Sequence, residues 1–199
     1  MTNRKRPALF LDRDGVINKE VNYLYKIEDF IFIPHLFDTC RLFQDAGYAL
    51  IVVTNQSGIA RGYYTEDDFH HLNRWMTARF LEAGIALTDV FYCPHHPKAL
   101  IPQYRLQCSC RKPQPGMILD ASERHQIDLS HSIMVGDKLS DIQAARQAGV
   151  GHLVLVHSGY DITDKDALEA HHVAEDMGQT SVFAKWFLQG QIQHSGNTA

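Results

Sequence analysis

The stretch ALFLDRDGVIN, residues 8–18, decides how the rest of the chain is read. Four apolar residues run straight into two aspartates, Asp12 and Asp14, with Arg13 between them and Gly15 after. An apolar run without polar alternation is the pattern of a strand covered on both faces, as in a parallel sheet. Ending such a strand in two like charges requires a reason, because neighbouring carboxylates repel. Taken alone, DRDG is also an acceptable turn, since Asp and Gly favour turns.

Four more runs share this character: ALIVV (49–53), DVFYC (89–93), SIMV (132–135) and HLVLV (152–156). Helical segments separate them. In residues 65–84, Thr65 can cap, acids fill the first turn, and Phe69, Leu72, Met76 and Phe80 form one apolar stripe before Gly84 closes the helix. Shorter helices are expected from Phe37 to Ala46, ended by Gly47, and from Ser140 to the stop at Gly149. Alternating strand and helix predicts an α/β fold, a three-layer sandwich around a mainly parallel sheet. No segment between strands is long enough for a separate cap domain. Residues 1–190 therefore read as one domain, and 191–199 (QIQHSGNTA) as a disordered tail.

Composition narrows the function classes. The chain has 199 residues, 45% apolar and 21% charged, ordinary for a globular protein. A net charge of −4 argues against a nucleic-acid binder, and the NRKR run at 3–6 reads as a solvated tail. No run approaches the roughly 18 apolar residues of a membrane span, and the N-terminus lacks a signal-peptide pattern. The expectation is a cytoplasmic protein, a monomer for want of an obvious exposed apolar face. In that compartment the four cysteines are thiols or metal ligands rather than disulfides.

In an open parallel sheet, ligands bind beyond the carboxyl ends of the strands. LFLDRDG delivers Asp12 and Asp14 there, VVTNQSG delivers Thr54 and Asn55, and MVGDKLSD delivers Asp137 and Asp141. CRKPQPG, which lies between the last two, adds Arg111 and Lys112. Asp12, Asp14 and Asp137 would repel unless a cation joined them, and a hard oxygen site with few carboxylates suits Mg²⁺ with a phosphate. Lys112, Thr54 and amides of the TNQSG loop could hold the other phosphate oxygens. Extended residues two apart point the same way, so Asp12 could attack phosphorus while Asp14 reaches the leaving oxygen. A competing reading makes Asp12 and Asp14 the metal site of a glycosyl transferase, but it gives Thr54 and Lys112 no task.

Residues 94–115 are the least regular part, and with Cys93 just before them they gather three of the four cysteines. Cys93, His95, Cys108 and Cys110 form Cys-x-His, twelve residues, then Cys-x-Cys. Three thiolates and one imidazole complete a tetrahedral, structural Zn²⁺ shell. His96 rivals His95 as the nitrogen ligand. The alternative is a floppy loop of unliganded thiols directly before Arg111 and Lys112. Cys40 lies among apolar residues and is expected to be simply buried.

With these motifs in this order, the chain resembles the haloacid dehalogenase (HAD) superfamily of phosphotransferases. FLDRDGVIN, VTNQSGIARG, YCPHHP, CSCRKPQPGM and MVGDKLSDIQAA further resemble the D-glycero-D-manno-heptose 1,7-bisphosphate 7-phosphatase family, itself related to histidinol-phosphate phosphatases. The likeness runs from about residue 8 to 156. It implies Asp12 as nucleophile and Asp14 as acid/base, with Thr54 and Lys112 stabilising the phosphoryl group. Mg²⁺ would sit on Asp12, the main-chain carbonyl of Asp14, and Asp137, with Asp141 behind them. Arg13, Glu20, Tyr23, Asn55, Gln56, Ser57, Arg111 and Lys138 would contact substrate, and Cys93, His95, Cys108 and Cys110 match the zinc positions. The implied substrate is a heptose bisphosphate that loses its C7 phosphate on the way to the ADP-heptose of lipopolysaccharide. Histidinol phosphate is the alternative substrate, and a zinc-stabilised binding protein without turnover the alternative class.

Overall fold

The computed structural model describes residues 5–157 and 162–195. Six parallel strands form one sheet: β1 Ala8–Leu11, β2 Ala49–Asn55, β3 Asp89–Cys93, β4 Ile133–Gly136, β5 His152–Val156 and β6 His172–Ala174. Their spatial order is β3-β2-β1-β4-β5-β6. β1 lies at the centre, with Leu9 opposite Leu50 on one side and Ile133 on the other.

Each strand divides its side chains between two cores, which is why the runs are apolar without alternation. Leu9, Leu11, Leu50, Val52, Val135 and Val154 face one side, against α1 (Leu36–Asp45), α3 (Glu66–Glu82) and α7 (Met177–Ser195). Ala8, Phe10, Ile51, Val53, Met134 and Leu153 face the other, against α4 (Gly116–His125) and α5 (Leu139–Ala148). Full burial of one such large side chain contributes about 1.5–3 kcal/mol. The stripe expected on α3 is entirely buried, through Phe69, Leu72, Met76 and Phe80. Thr65 caps that helix by accepting from the Asp68 amide, and Gly84 ends it at φ +75°.

Several boundaries differ from expectation by physical causes. β2 continues through Thr54 and Asn55, because β3 pairs with it as far as Asn55 opposite Cys93. β6 was not expected: its three residues, HVA, are too few to show a pattern, and it forms by pairing with β5 at the sheet edge. The short α2 (Ser57–Ala60) and α6 (Asp164–Glu169) complete the set. The presumed tail begins inside α7, which runs to Ser195, and residues 196–199 lie outside the described residues. Cys40 is buried in α1. No described helix is long and apolar enough to cross a membrane.

All strands being parallel, their carboxyl ends open on one edge of the sheet. That edge receives Asp12 from β1, Thr54 and Asn55 from β2, Cys93 from β3 and Asp137 from β4. Asp14, Glu20 and Tyr23 of the segment after β1, and Lys112 of the segment after β3, come to that edge.

Candidate active site

Asp12 continues β1 by one rung, its amide donating to Val135 O at 3.1 Å, so its carboxyl is set by the sheet itself. It is 5% exposed. Lys112, 3% exposed, reaches Asp12 Oδ1 at 2.9 Å and Asp141 Oδ1 at 2.7 Å and donates to Val53 O at 2.8 Å. Burial pushes the Asp12 carboxyl up to about 6; Lys112 opposes that rise, while Asp141 and Asp14 add to it. Burial also works against the Lys112 ammonium, yet the flanking Asp12 and Asp141 hold its pKa above the ordinary lysine value.

Carboxylate oxygens of Asp12, Asp137 and Asp141 lie within 4.8 Å of one another, all on buried residues. The cluster is oxygen-only and carries more negative charge than Lys112 can balance, which fits a hard divalent cation. Asp141 has Lys112 on one oxygen and the Lys138 amide on the other, at 3.0 Å. Both Asp141 oxygens are thus occupied, and Asp12 and Asp137 are the residues of the cluster that could hold the metal. Gly136 leaves room for Asp141, since a Cβ there would lie 2.3 Å from Asp141 Cβ.

Asp14 stands apart from that cluster, surrounded by donors. Arg13 reaches both of its oxygens at 2.9 Å, Asn18 Nδ2 donates at 3.1 Å and Gln56 Nε2 at 3.1 Å. A cavity of about 180 Å³ opens over it, lined among others by Arg13, Glu20, Tyr23, Asn55, Gln56, Ser57 and Lys138. Seven of the eight expected substrate contacts therefore share one hollow. Arg111 lines a different one, of about 520 Å³, beside Leu106 and Pro113, and donates to His95 O at 3.2 Å.

Several of these side chains have structural partners as well. The Arg13 guanidinium is buried against Asp14 and Leu24 O. Lys138 pairs with Glu20 at 2.8 Å. Asn55 grips the Lys112 main chain from both ends, donating to its carbonyl and accepting from its amide, each at 3.1 Å. Asn55 thereby places Lys112. Sequence reasoning missed Asn18, which is fully buried and four residues beyond Asp14, and Tyr64, whose hydroxyl meets Gln56. Only spacing hinted at Asn18, and nothing local marked Tyr64.

The loop after β3 gathers Cys93, His95, Cys108 and Cys110. Sulfur separations are 3.1–3.4 Å, far beyond the ~2.05 Å of a disulfide. His95 Nδ1 lies 3.8 Å from Cys93 Sγ and 3.6 Å from Cys110 Sγ. His96 points elsewhere: its Nδ1 accepts from the Lys98 amide, and its Nε2 lies 3.5 Å from Arg61 Nη2. Hydrogen bonding, first from Cys93, pulls the Cys110 thiol down to about 5, and its bond to Cys110 together with burial drives Cys93 up. Thiolate character in a tetrad of three sulfurs and one imidazole nitrogen fits Zn²⁺.

This sheet, with a buried aspartate at the end of its central strand, a lysine against it and two further aspartates, one just after β4 and one in the first turn of α5, defines a HAD-like phosphatase. A family profile described as HAD-hydrolase-like matches residues 109–180. The chain is 49% identical over 157 residues to the D-glycero-beta-D-manno-heptose-1,7-bisphosphate 7-phosphatase of Escherichia coli K12, covering 79% of this chain and 82% of the relative. It is 46% identical over 164 residues to the D-glycero-alpha-D-manno-heptose-1,7-bisphosphate 7-phosphatase of Photorhabdus laumondii, covering 82% and 90%. The D,D-heptose 1,7-bisphosphate phosphatase from B. bronchiseptica, solved with magnesium and phosphate, superposes with a TM-score of 0.75 at 31% identity, covering 92% and 99%. The chain belongs to the heptose-1,7-bisphosphate 7-phosphatase family.

Adding one methyl group at Gly136 tests the support behind Lys112. Gly136→Ala must displace Asp141, and a shift of about 1 Å in a supporting group can cost on the order of 100-fold in rate. Release of 4-nitrophenol from 4-nitrophenyl phosphate is expected to fall roughly ten- to a hundred-fold, with the far-ultraviolet circular dichroism retained.

Proposed function

We propose that the protein removes the C7 phosphate of D-glycero-D-manno-heptose 1,7-bisphosphate through an aspartyl-phosphate on Asp12, on the route to ADP-heptose. The observation that carries this reading is the buried Asp12, aligned by the central strand and touched by Lys112, at the sheet edge where Thr54 and Asp137 also emerge. The names of the relatives supply the sugar.

An Asp12 carboxylate oxygen attacks the C7 phosphorus; the ester P–O bond breaks, and the proton of the Asp14 carboxyl passes to the departing C7 oxygen. Thr54 and Lys112 hold the phosphoryl oxygens during transfer. Asp14, now a carboxylate, takes a proton from a water that attacks the same phosphorus, and the bond to Asp12 breaks to release inorganic phosphate. Mg²⁺, held by Asp12, the main-chain carbonyl of Asp14 and Asp137, would neutralise charge on the phosphoryl oxygens when bound. Arg13, Glu20, Tyr23, Asn55, Gln56, Ser57 and Lys138 frame the hollow that takes the sugar. Arg111, whose fork suits a second phosphate, lines the separate cavity beside Leu106 and Pro113.

Zn²⁺ on Cys93, His95, Cys108 and Cys110 is the structural half of the proposal. Cys110 lies two residues before Lys112, so a fixed tetrad fixes the approach of that lysine. Unbridged cysteines accord with a reducing compartment, the cytoplasm. A single domain over residues 1–190, acting as a monomer, completes the reading.

Phosphorus NMR of heptose 1,7-bisphosphate incubated with enzyme and Mg²⁺ identifies the ester cleaved. Loss of the C7 phosphate is expected, with kcat/KM exceeding that for histidinol phosphate by roughly 100-fold or more. Asp12→Asn should abolish turnover; full activity in that variant rules out the phosphoenzyme. For zinc, elemental analysis of fresh protein should read stoichiometric metal that Cys108→Ser loses. KM should then rise roughly ten-fold before kcat moves. Metal-free wild-type protein with normal KM would discard the zinc role.

A further inference from the structure

Tyr64 has no part in the chemistry above, yet it is 5% exposed beside the catalytic hollow, and its hydroxyl is committed. It donates to Gln56 Oε1 at 2.6 Å. The other end of that amide donates twice, to Asp14 Oδ2 at 3.1 Å and to Thr54 Oγ1 at 2.8 Å. Gln56 is 1% exposed, so water cannot readily satisfy whichever end lacks a partner. The Gln56 NH₂ faces Asp14 and Thr54, and its carbonyl faces away from them, towards Tyr64. Among the hydrogen bonds of the described residues, Tyr64 is the donor that meets that carbonyl.

The ring is itself fixed. It stacks on Tyr25 with centroids 5.5 Å apart and packs with Ile59 and Phe69. It also lies directly over Gly58, where a Cβ would come within 2.1 Å of Tyr64 Cε1. Gly58 thus leaves the space through which the hydroxyl reaches Gln56. The chain of contacts runs from a rigid aromatic cluster, through one amide, to the two groups that flank the phosphoryl position.

We propose that Tyr64 is a positioning residue that acts through Gln56 to hold Asp14 in register with Thr54, so that the Asp14 proton meets the leaving oxygen. This rests on the reading of Asp14 as acid/base. Without the hydroxyl, the Gln56 amide is free to rotate, and Asp14 loses one of its fixed donors. Proton delivery suffers more than attack by Asp12, since neither Asp12 nor Lys112 touches Tyr64 or Gln56 among the hydrogen bonds of the described residues.

The test compares two leaving groups on the full chain with Mg²⁺. The C7 oxygen of heptose 1,7-bisphosphate departs as a primary alkoxide that needs a proton; the phenolate of 4-nitrophenyl phosphate does not. For Tyr64→Phe, the ratio of kcat/KM values, heptose bisphosphate over nitrophenyl ester, is expected to fall roughly ten-fold, a fraction of what general acid catalysis supplies. Asp14→Asn should lower the same ratio by on the order of 100-fold or more. A ratio unchanged in Tyr64→Phe but collapsed in Asp14→Asn overturns the inference alone. A ratio unchanged in Asp14→Asn removes the acid/base reading and the inference with it. An equal rise in KM for both substrates, at constant ratio, makes Tyr64 a substrate contact and also overturns the inference. Should Tyr64→Phe lose its circular dichroism, Gln56→Leu reports on the same link, and a constant ratio there counts against it.

Discussion

The Lys112 ammonium is held between two buried carboxylates, Asp12 at 2.9 Å and Asp141 at 2.7 Å, and the rest of the site depends on that contact. Asp137 adds a third carboxylate to the same cluster, while Lys138, the next cation, lies nearer to Glu20 than to Asp137. Burying charge is costly unless it is paired, and here negative charge stays in excess. Under the proposed function, a divalent cation held by Asp12 and Asp137 would offset the excess. The strand that opened the sequence thus ends in a buried acidic cluster that Lys112 alone does not balance.

Two supports keep the lysine in place, one from before it in the chain and one from after it. Asn55, at the end of β2, holds its main chain, and Asp141, in the first turn of α5, holds its ammonium. Neither requires contact with substrate. The cysteine tetrad lies two residues upstream, in the irregular loop between β3 and α4, and zinc bound there would add a third constraint. Asp14 belongs to a second network of Arg13, Asn18 and Gln56, separate from the metal cluster although only two residues from Asp12. Aspartates two residues apart thus meet different environments, as the proposed split between nucleophile and acid/base requires.

Most of the sheet was legible because each of its first five strands is covered on both faces, which writes an unbroken apolar run. β6 was not, since three residues ending in Ala174 owe their strand to pairing at the sheet edge. That Asp12, Thr54 and Asp137 come to one edge was legible because parallel strands deliver their ends there; Lys112 reaches them from the loop between β3 and α4. Asn55 was placed correctly, but its grip on Lys112 was hidden, because 57 residues separate the partners. His95 and His96 looked alike in sequence, and what separates them is ring direction: one faces three sulfurs, the other the Lys98 amide and Arg61. Tyr64 could not be seen at all, because its meaning lies in an amide it touches across the start of α2.

Calorimetric titration with Mg²⁺ tests the central claim most directly, comparing wild type with Asp137→Asn. If the buried carboxylates form one divalent site, wild type binds a single Mg²⁺ and the variant binds it roughly 100-fold or more weakly, as loss of a charged ligand requires. Equal affinity in the two proteins would contradict the account, for the acidic side chains would then be gathered for some other reason.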